Sequence, residues 1–247
     1  MKKQTLIFLT LFLSQIIFAQ KQNGTWDYPI RPGTEKWQEL DSYEKRLNAY
    51  NIPDSILSIM STIDLVKTCL NYPEFRLIMT RNSLQLGYDY LKSIFNGFAE
   101  LEKRSDSGKE LIKLYEAMEP QKITQYDTPS KRGAFSFQFT CIELIMAQPG
   151  IQKNLSKKDI IQYFDVCTKK YDGKKLLENE YSMFDLGTTA LTMGRLLNQE
   201  KHSDFEQVKQ SNTQVRNFLE KSYPTTIEDF NLIYNYSKDY LKTYKNE

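Results

Sequence analysis

Few residues in this chain have the types and spacing that nucleophilic or metal chemistry needs. The single histidine, His202, stands in the polar segment NQEKHSD, and its charged neighbours favour a solvated loop. A serine or cysteine nucleophile usually needs a histidine base that a third group holds in place. One histidine and three scattered cysteines do not make a zinc ligand set, and calcium-loop and phosphate-loop motifs are absent. The sequence therefore predicts no catalytic residues, no metal site and no cofactor.

The three cysteines, Cys69, Cys141 and Cys167, are spaced too widely for a metal knuckle or a redox pair of the C-x-x-C kind. An odd number allows at most one internal disulfide in an oxidising compartment. Because each stands among apolar neighbours, we expect all three to be buried and to act as small hydrophobic residues.

Carboxylates are the remaining candidates for chemistry, since a glycosidase needs only two acids on facing walls of a cleft. Glu143 in TCIELIM and Asp185 in YSMFDLGTT are the acids with the most apolar surroundings. Their structural interpretations are a helix residue that reaches the surface or a basic partner, for Glu143, and a helix N-cap, for Asp185. The sequence leaves the catalytic alternative open.

A hydrophobic leader opens the chain. Lys2 and Lys3 precede an apolar run over residues 6–18, and the small residue Ala19 follows, a pattern typical of a signal peptide. The run is too short for a membrane-spanning helix, and no second run follows. We expect cleavage near Ala19, export to the periplasm or the medium, and no integral membrane segment.

Positive and negative side chains are nearly equal in number, and this balance limits the class of partner that the sequence predicts. The chain has 33 basic and 31 acidic side chains, and the leader holds two lysines and no acid. The part that follows the leader therefore has equal numbers of each sign. A nucleic-acid-binding protein normally gathers a basic excess on one face, so we expect no nucleic-acid partner.

Helix signals dominate the rest of the chain and predict an all-α fold. Only ten glycines and eight prolines interrupt runs rich in Leu, Lys, Glu and Gln. Helix starts are marked by short oxygen-bearing side chains with an acid three residues later, as in Asp41/Glu44, Ser61/Asp64, Ser107/Glu110, Ser156/Asp159, Ser203/Glu206 and Thr225/Glu228. Helical hairpins stacked as a bundle or as a short α-solenoid both fit this pattern. The predicted helices cover approximately 34–50, 53–60, 61–71, 81–104, 107–118, 133–147, 156–170, 173–179, 183–199, 204–221 and 225–244.

The predicted organisation is a signal peptide over 1–19, an extended arm over 20–33 and a helical domain over 34–247. The segment 119–132, EPQKITQYDTPSKR, lacks helix signals and would join halves 34–118 and 133–247. A polar loop of this length is more often functional or mobile than incidental, and Tyr126 and Arg132 are its candidate partner-binding residues.

The arm carries both tryptophans, in WDYPIRPGTEKW over 26–37. Two prolines hold the chain extended, and Gly33 with Thr34 suits a turn and a helix N-cap. Trp26, Tyr28 and Trp37 either pack on the helical body or form a platform for a sugar or peptide. The same two interpretations apply to the tyrosines spaced four apart near the C-terminus, Tyr236, Tyr240 and Tyr244.

Several segments together resemble an uncharacterised family of secreted proteins from Bacteroidota-type Gram-negative bacteria. They are WDYPIRPGTEKW, CLNYPEF at 69–75 and FNGFAELEKRSDSGKELIKLYEAM at 95–118, with a looser likeness through CIELIMAQPGI at 141–151. The resemblance implies a periplasmic or secreted helical protein, and it brings no activity and no catalytic residues.

From these observations we expect an exported, non-enzymatic α-helical binding protein of the cell envelope. Its expected partner is an envelope protein or a glycan. The alternative is a carboxylate-dependent hydrolase or lyase that acts on glycan or cell-wall material.

Overall fold

The computed structural model describes residues 24–244, and over that range the regular elements are helices without strands. The all-α prediction is thus confirmed, whereas the predicted leader, its cleavage site and residues 20–23 of the arm lie outside the described residues. The α-helices are α1 (Glu35–Gln38), α2 (Tyr43–Asn48), α3 (Asp54–Leu57), α4 (Thr62–Leu70), α5 (Leu84–Ile94), α6 (Asn96–Leu101), α7 (Ser107–Ala117), α8 (Pro129–Met146), α9 (Pro149–Gln152), α10 (Lys157–Lys175), α11 (Met183–Gln199), α12 (Ser203–Ser211), α13 (Thr213–Lys221) and α14 (Ile227–Tyr244), with 3-10 helices at Phe75–Thr80 and Pro120–Gln125.

Helix α11 is the centre of the bundle. Every residue from Asp185 to Leu197 is buried, which is typical of a helix surrounded by other helices rather than of an amphipathic surface helix. Helices α8, α10 and α14 pack around it. A Cβ atom at Gly194 would stand 2.5 Å from Leu219, so the absence of a side chain there allows close packing. This arrangement is a bundle rather than a solenoid.

The sequence predicted the regions where these helices start, but the exact N-cap residue is often one position away from the predicted one. Ser61 and Ser156 cap α4 and α10 as expected. Three other starts shift by one residue. Ser42 and His202 cap α2 and α12 with their side chains in place of Asp41 and Ser203, and Asp106, whose side chain makes no capping hydrogen bond, is the N-cap of α7 in place of Ser107. Adjacent capping residues make the register ambiguous in the sequence.

Several predicted helices have different bounds. The predicted helix 81–104 breaks at Phe95, which is extended, and 204–221 breaks at Asn212, whose side chain caps α13. The separate helix at 173–179 does not form, because α10 continues to Lys175.

The structure also corrects the predicted loop over 119–132. Its first part is a 3-10 helix that buries Pro120 and Ile123, and α8 already begins at Pro129. Thr128 caps α8 by accepting a hydrogen bond from the backbone of Lys131. Proline is favourable in the first turn of a helix, so Pro129 starts a helix here and does not prevent one.

The N-terminal arm packs on the helical body. Tyr28 is buried and its hydroxyl donates to the carbonyl of Thr68 at 2.7 Å. The backbone N–H of Trp26 donates to the Thr68 hydroxyl at 3.0 Å, and its indole N–H to the carbonyl of Tyr50 at 3.1 Å. The Trp37 ring lies 5.3 Å from the Tyr50 ring. The arm is not extended throughout, since Tyr28 has a φ of 53°. These contacts favour the packing interpretation of the arm.

All three cysteines are free thiols and are buried, as the apolar neighbours predicted. Burial raises the pKa of Cys69, Cys141 and Cys167 above the usual thiol range. Protonated, inaccessible thiols are poor nucleophiles.

Replacing Trp26 with alanine tests the packing of the arm. We expect the Trp26→Ala variant to lose about 2 kcal/mol of unfolding free energy, less than for a fully buried aromatic because Trp26 is only half-buried. A thermal melt measures this as a lower Tm. The control is Tyr43→Ala, an aromatic that is 54% exposed. Equal melting temperatures for Trp26→Ala and the wild type would contradict the packing interpretation.

Thiol labelling tests the burial of the cysteines. With dithiobis(nitrobenzoate) at pH 8, we expect no labelling of the native protein within minutes and three equivalents after unfolding in guanidinium. One equivalent after unfolding would reveal a disulfide and contradict the free-thiol assignment.

Candidate functional site

An apolar pocket of about 340 Å³ opens on one side of the bundle. Three segments that are distant in the sequence form it. They are residues 78–84 before and at the start of α5, the first half of α11, and residues 218–225 at the end of α13, and Phe230 of α14 closes the wall. The volume lies within the range of small-molecule and side-chain binding sites.

The inner wall of the pocket is apolar. It is made by Ile78, Leu191, Phe218 and Phe230, all of which are buried. These side chains are packed against the hydrophobic core on their other sides. The wall is therefore held by the same contacts that hold the bundle together.

Exposed apolar side chains form the rim. Met79 is 53% exposed, Met183 47%, Phe184 39% and Tyr223 39%, and all four line the pocket. They are four of the nine large hydrophobic residues that are exposed in the part of the chain described here. Single exposed hydrophobic residues are ordinary, but a group around a cavity is typical of a binding surface.

Capping contacts at the start of α11 and at the end of α13 position the residues of the rim. Asp185, the third residue of α11, accepts hydrogen bonds from the backbone N–H and the hydroxyl of Ser182 at 2.8 and 2.6 Å. This capping box puts Met183 and Phe184 in the first turn, where they face outward. On the opposite side, Ser222 ends α13 with a φ of 54°, and its backbone N–H donates to the carbonyl of Phe218 at 2.9 Å. The left-handed conformation turns the chain toward α14.

Directly behind the pocket wall lies a buried ion pair. Lys174 Nζ is 2.7 and 3.0 Å from the two carboxylate oxygens of Glu143, and neither side chain is exposed. Thr188, which lines the pocket, donates its hydroxyl to Glu143. Thr189 donates to Glu143 at 2.8 Å, and Tyr115 donates to the same carboxylate.

The ion pair is saturated with hydrogen bonds. Lys174 also contacts the carbonyl of Asp185 at 3.0 Å and the hydroxyl of Thr189 at 2.9 Å. Burial and the negative charge of Glu143 raise the pKa of Tyr115 well above the usual range, so its hydroxyl stays a donor. Because both oxygens of Glu143 already accept several donors, the carboxylate is not free to take a proton from a substrate. The arrangement is suited to holding helices together.

The sequence interpretation of Glu143 is confirmed, since it has a basic partner, Lys174. The N-cap interpretation of Asp185 is wrong, because Ser182 is the N-cap and Asp185 is the third residue of the helix. Lys174 was missed because it stands in the lysine-rich run KKYDGKK. The signal that could have found it is spacing, since Cys167, Tyr171 and Lys174 fall on the buried face of α10.

None of the five residues predicted from the sequence as binding residues lines the pocket. Trp26, Tyr28 and Trp37 lie in the arm or on α1 and pack against the core. The Tyr126 ring packs 5.1 Å from the ring of Phe135, and Arg132 forms an ion pair with Glu180 at 2.9 Å.

The pocket residues went unnoticed in the sequence because three remote segments bring them together. No local pattern joins Met79, Phe184 and Tyr223.

His202 and the C-terminal tyrosines have structural contacts. His202 is half-buried and not in a solvated loop: it is the N-cap of α12, and its Nδ1 accepts from the backbone of Phe205. Tyr240 is buried and donates to Glu200 at 2.7 Å, while Tyr236 packs on His202. Over residues 24–244, no three acidic, cysteine or histidine side chains cluster as metal ligands would.

Comparisons with protein-family models, with curated protein sequences and with solved structures give no match. Among the helices of the described range, none is both long and apolar enough to cross a membrane.

A double-mutant cycle tests the role assigned to the ion pair. We expect Lys174→Met to lower the unfolding free energy by about 3–5 kcal/mol, because it leaves the charge of Glu143 buried without a partner. Adding Glu143→Gln removes that charge. The double variant should therefore lose about 1–3 kcal/mol less unfolding free energy than the two single variants lose together. Urea unfolding measures all four proteins.

The control cycle uses the exposed pair Asp127 and Lys131, whose side chains are 71% and 60% exposed. Its coupling should stay below about 1 kcal/mol. Additive effects of Lys174→Met and Glu143→Gln would show that the buried pair does not act as a unit.

Proposed function

We propose that this protein is an exported, non-enzymatic binding protein of the cell envelope, and that its pocket takes an apolar side chain of a protein partner. The observation that carries the proposal is the apolar pocket with Met79, Met183, Phe184 and Tyr223 exposed around its mouth. Interfaces between proteins are centred on a few anchors that fill such pockets.

The chemistry of the pocket favours a protein partner over a glycan. A sugar needs several hydrogen-bonding groups, but two hydroxyls of the lining are already engaged: Thr188 donates to Glu143, and Thr225 donates to Asp229. The rim methionines suit a partner surface, because their flexible and polarisable side chains adapt to an apolar contact. About 340 Å³ holds one large side chain with part of its backbone.

The envelope location rests on the leader pattern and on the resemblance to secreted proteins described above. The hydrolase alternative gains no support from the pocket, whose lining contains no aspartate or glutamate. Glu143, which accepts a hydrogen bond from Thr188 of the lining, is paired with Lys174.

Capture of envelope proteins by the immobilised protein, with quantification by mass spectrometry, tests the proposal. The test variant is Met79→Ser/Met183→Ser, which removes two rim side chains without adding charge. We expect partner retention to fall about tenfold or more, because each contact at the centre of an interface contributes about 1 kcal/mol or more.

The matched control is Ile59→Ser/Leu176→Ser. These residues are 84% and 82% exposed, are equally apolar and do not line the pocket. The control should retain the partner as the wild type does. Equal partner retention by the test and control variants would reject the pocket as the binding site. So would wild-type protein that retains no more of the partner than heat-unfolded protein does.

A further inference from the structure

A buried arginine, Arg195, lies behind the pocket beside Ser222. Its Nε donates to the carbonyl of Leu219 at 2.7 Å, and its Nη2 donates to the Ser222 hydroxyl at 3.1 Å. Its Nη1 donates to Gln85 at 2.6 Å and to the carbonyl of Ala147 at 3.3 Å. Only 9% of Arg195 is exposed, and Ser222 lines the pocket.

The guanidinium has one more donor than these contacts use. It carries five N–H groups, and the four contacts engage the one at Nε, both at Nη1 and one at Nη2. The fifth belongs to Nη2, the nitrogen that contacts Ser222. The spare donor is therefore on the nitrogen nearest to the pocket lining.

Arg195 has no carboxylate within ion-pair distance among residues 24–244 of the chain. Asp89 is linked to it only through Gln85, whose amide donates to Asp89 at 2.9 Å and accepts from Arg195. Burial lowers the pKa of Arg195 to about 10, which still leaves it charged at neutral pH. A buried charge without an ion-pair partner is costly, and an anion placed nearby offsets that cost.

The charge of Asp89 favours the protonated form of Arg195 from the far side of Gln85, and the acids beside the pocket are engaged elsewhere. Arg81 is the only charged residue of the lining and is exposed. Glu143 is paired with Lys174, and Asp185 and Asp229 stand at helix N-termini, where hydroxyl groups donate to them. The cations Arg81 and Arg195 are thus left to attract a negative ligand group.

We infer that the pocket recognises the C-terminus of a polypeptide that ends in a large apolar residue. The terminal carboxylate accepts a hydrogen bond from the Ser222 hydroxyl, and the last side chain fills the apolar pocket. The positive charge of Arg195, whose Nη2 donates to that hydroxyl, lies directly behind it. This inference rests on the proposed function and names the part of the partner that enters the site. Charge-assisted hydrogen bonds to a carboxylate are among the stronger polar contacts in proteins.

A chain end fits the site better than a free fatty acid of similar polarity. The pocket of about 340 Å³ holds one residue, whereas the exposed rim of Met79, Met183, Phe184 and Tyr223 extends beyond it. The residues that precede a C-terminus continue out of the pocket and cover that rim. A short fatty acid would fill the cavity and leave the rim exposed to water.

Fluorescently labelled hexapeptides that end in phenylalanine, leucine or methionine test the inference. Each is made with a free C-terminal carboxylate and as the amide, and binding is measured by fluorescence anisotropy. We expect the best acid to bind at least tenfold more tightly than its amide. Ser222→Gly should remove most of that preference, since glycine accepts the φ of 54° and lacks the hydroxyl.

The outcomes separate this inference from the proposed function. Equal binding of acid and amide, or an unchanged preference in Ser222→Gly, overturns the recognition of the carboxylate and leaves the pocket as a protein-binding site. Tighter binding of dodecanoate than of every peptide acid overturns the choice of a chain end. If no peptide binds at millimolar concentration, the inference fails, and the capture experiment with the rim variants decides the proposed function separately.

Discussion

The ion pair between Glu143 and Lys174 is the interaction on which the rest of the bundle depends. Two charges that are fully buried must be paired and hydrogen-bonded, or the desolvation cost exceeds the attraction between them. Here Tyr115 of α7, Glu143 of α8, Lys174 of α10, and Thr188 and Thr189 of α11 meet at one point. Four helices that are separate in the sequence are thus tied to one relative arrangement, and apolar packing fills the space around it.

This constraint reaches the pocket through α11. Thr188 faces the pocket and is hydrogen-bonded to Glu143, so one wall of the pocket is fixed by the ion pair. Met183 and Phe184 begin the same helix, and the capping contact of Asp185 fixes their turn. A site held in place before binding loses less conformational entropy when a partner arrives. The stability of the core and the shape of the pocket therefore have one physical origin.

The sequence predicted the parts of the structure that local patterns determine. The all-α fold was predicted from the composition. The capping roles of Ser61 and Ser156 were predicted from their spacing to an acid, and the burial of the cysteines from their apolar neighbours. Glu143 was expected to reach either the surface or a basic partner, and the identity of that partner was not predictable because several lysines of α10 look alike in the sequence. The pocket was not foreseen, since Ile78, Phe184 and Tyr223 are neighbours only in the folded chain. The start of α8 at Pro129 was not predicted either, because the whole segment 119–132 was assigned as a loop.

We propose that the pocket between α5, α11 and α13 is the binding site. Methyl NMR of the protein labelled at its methionines tests this most directly, because Met79 and Met183 lie on the rim while Met60 is buried in the core. On titration with the purified partner, or with a peptide acid that binds, the signals of Met79 and Met183 should shift in proportion to saturation while that of Met60 stays constant. Saturable binding that leaves both rim signals unchanged would contradict the claim and place the site elsewhere on the protein.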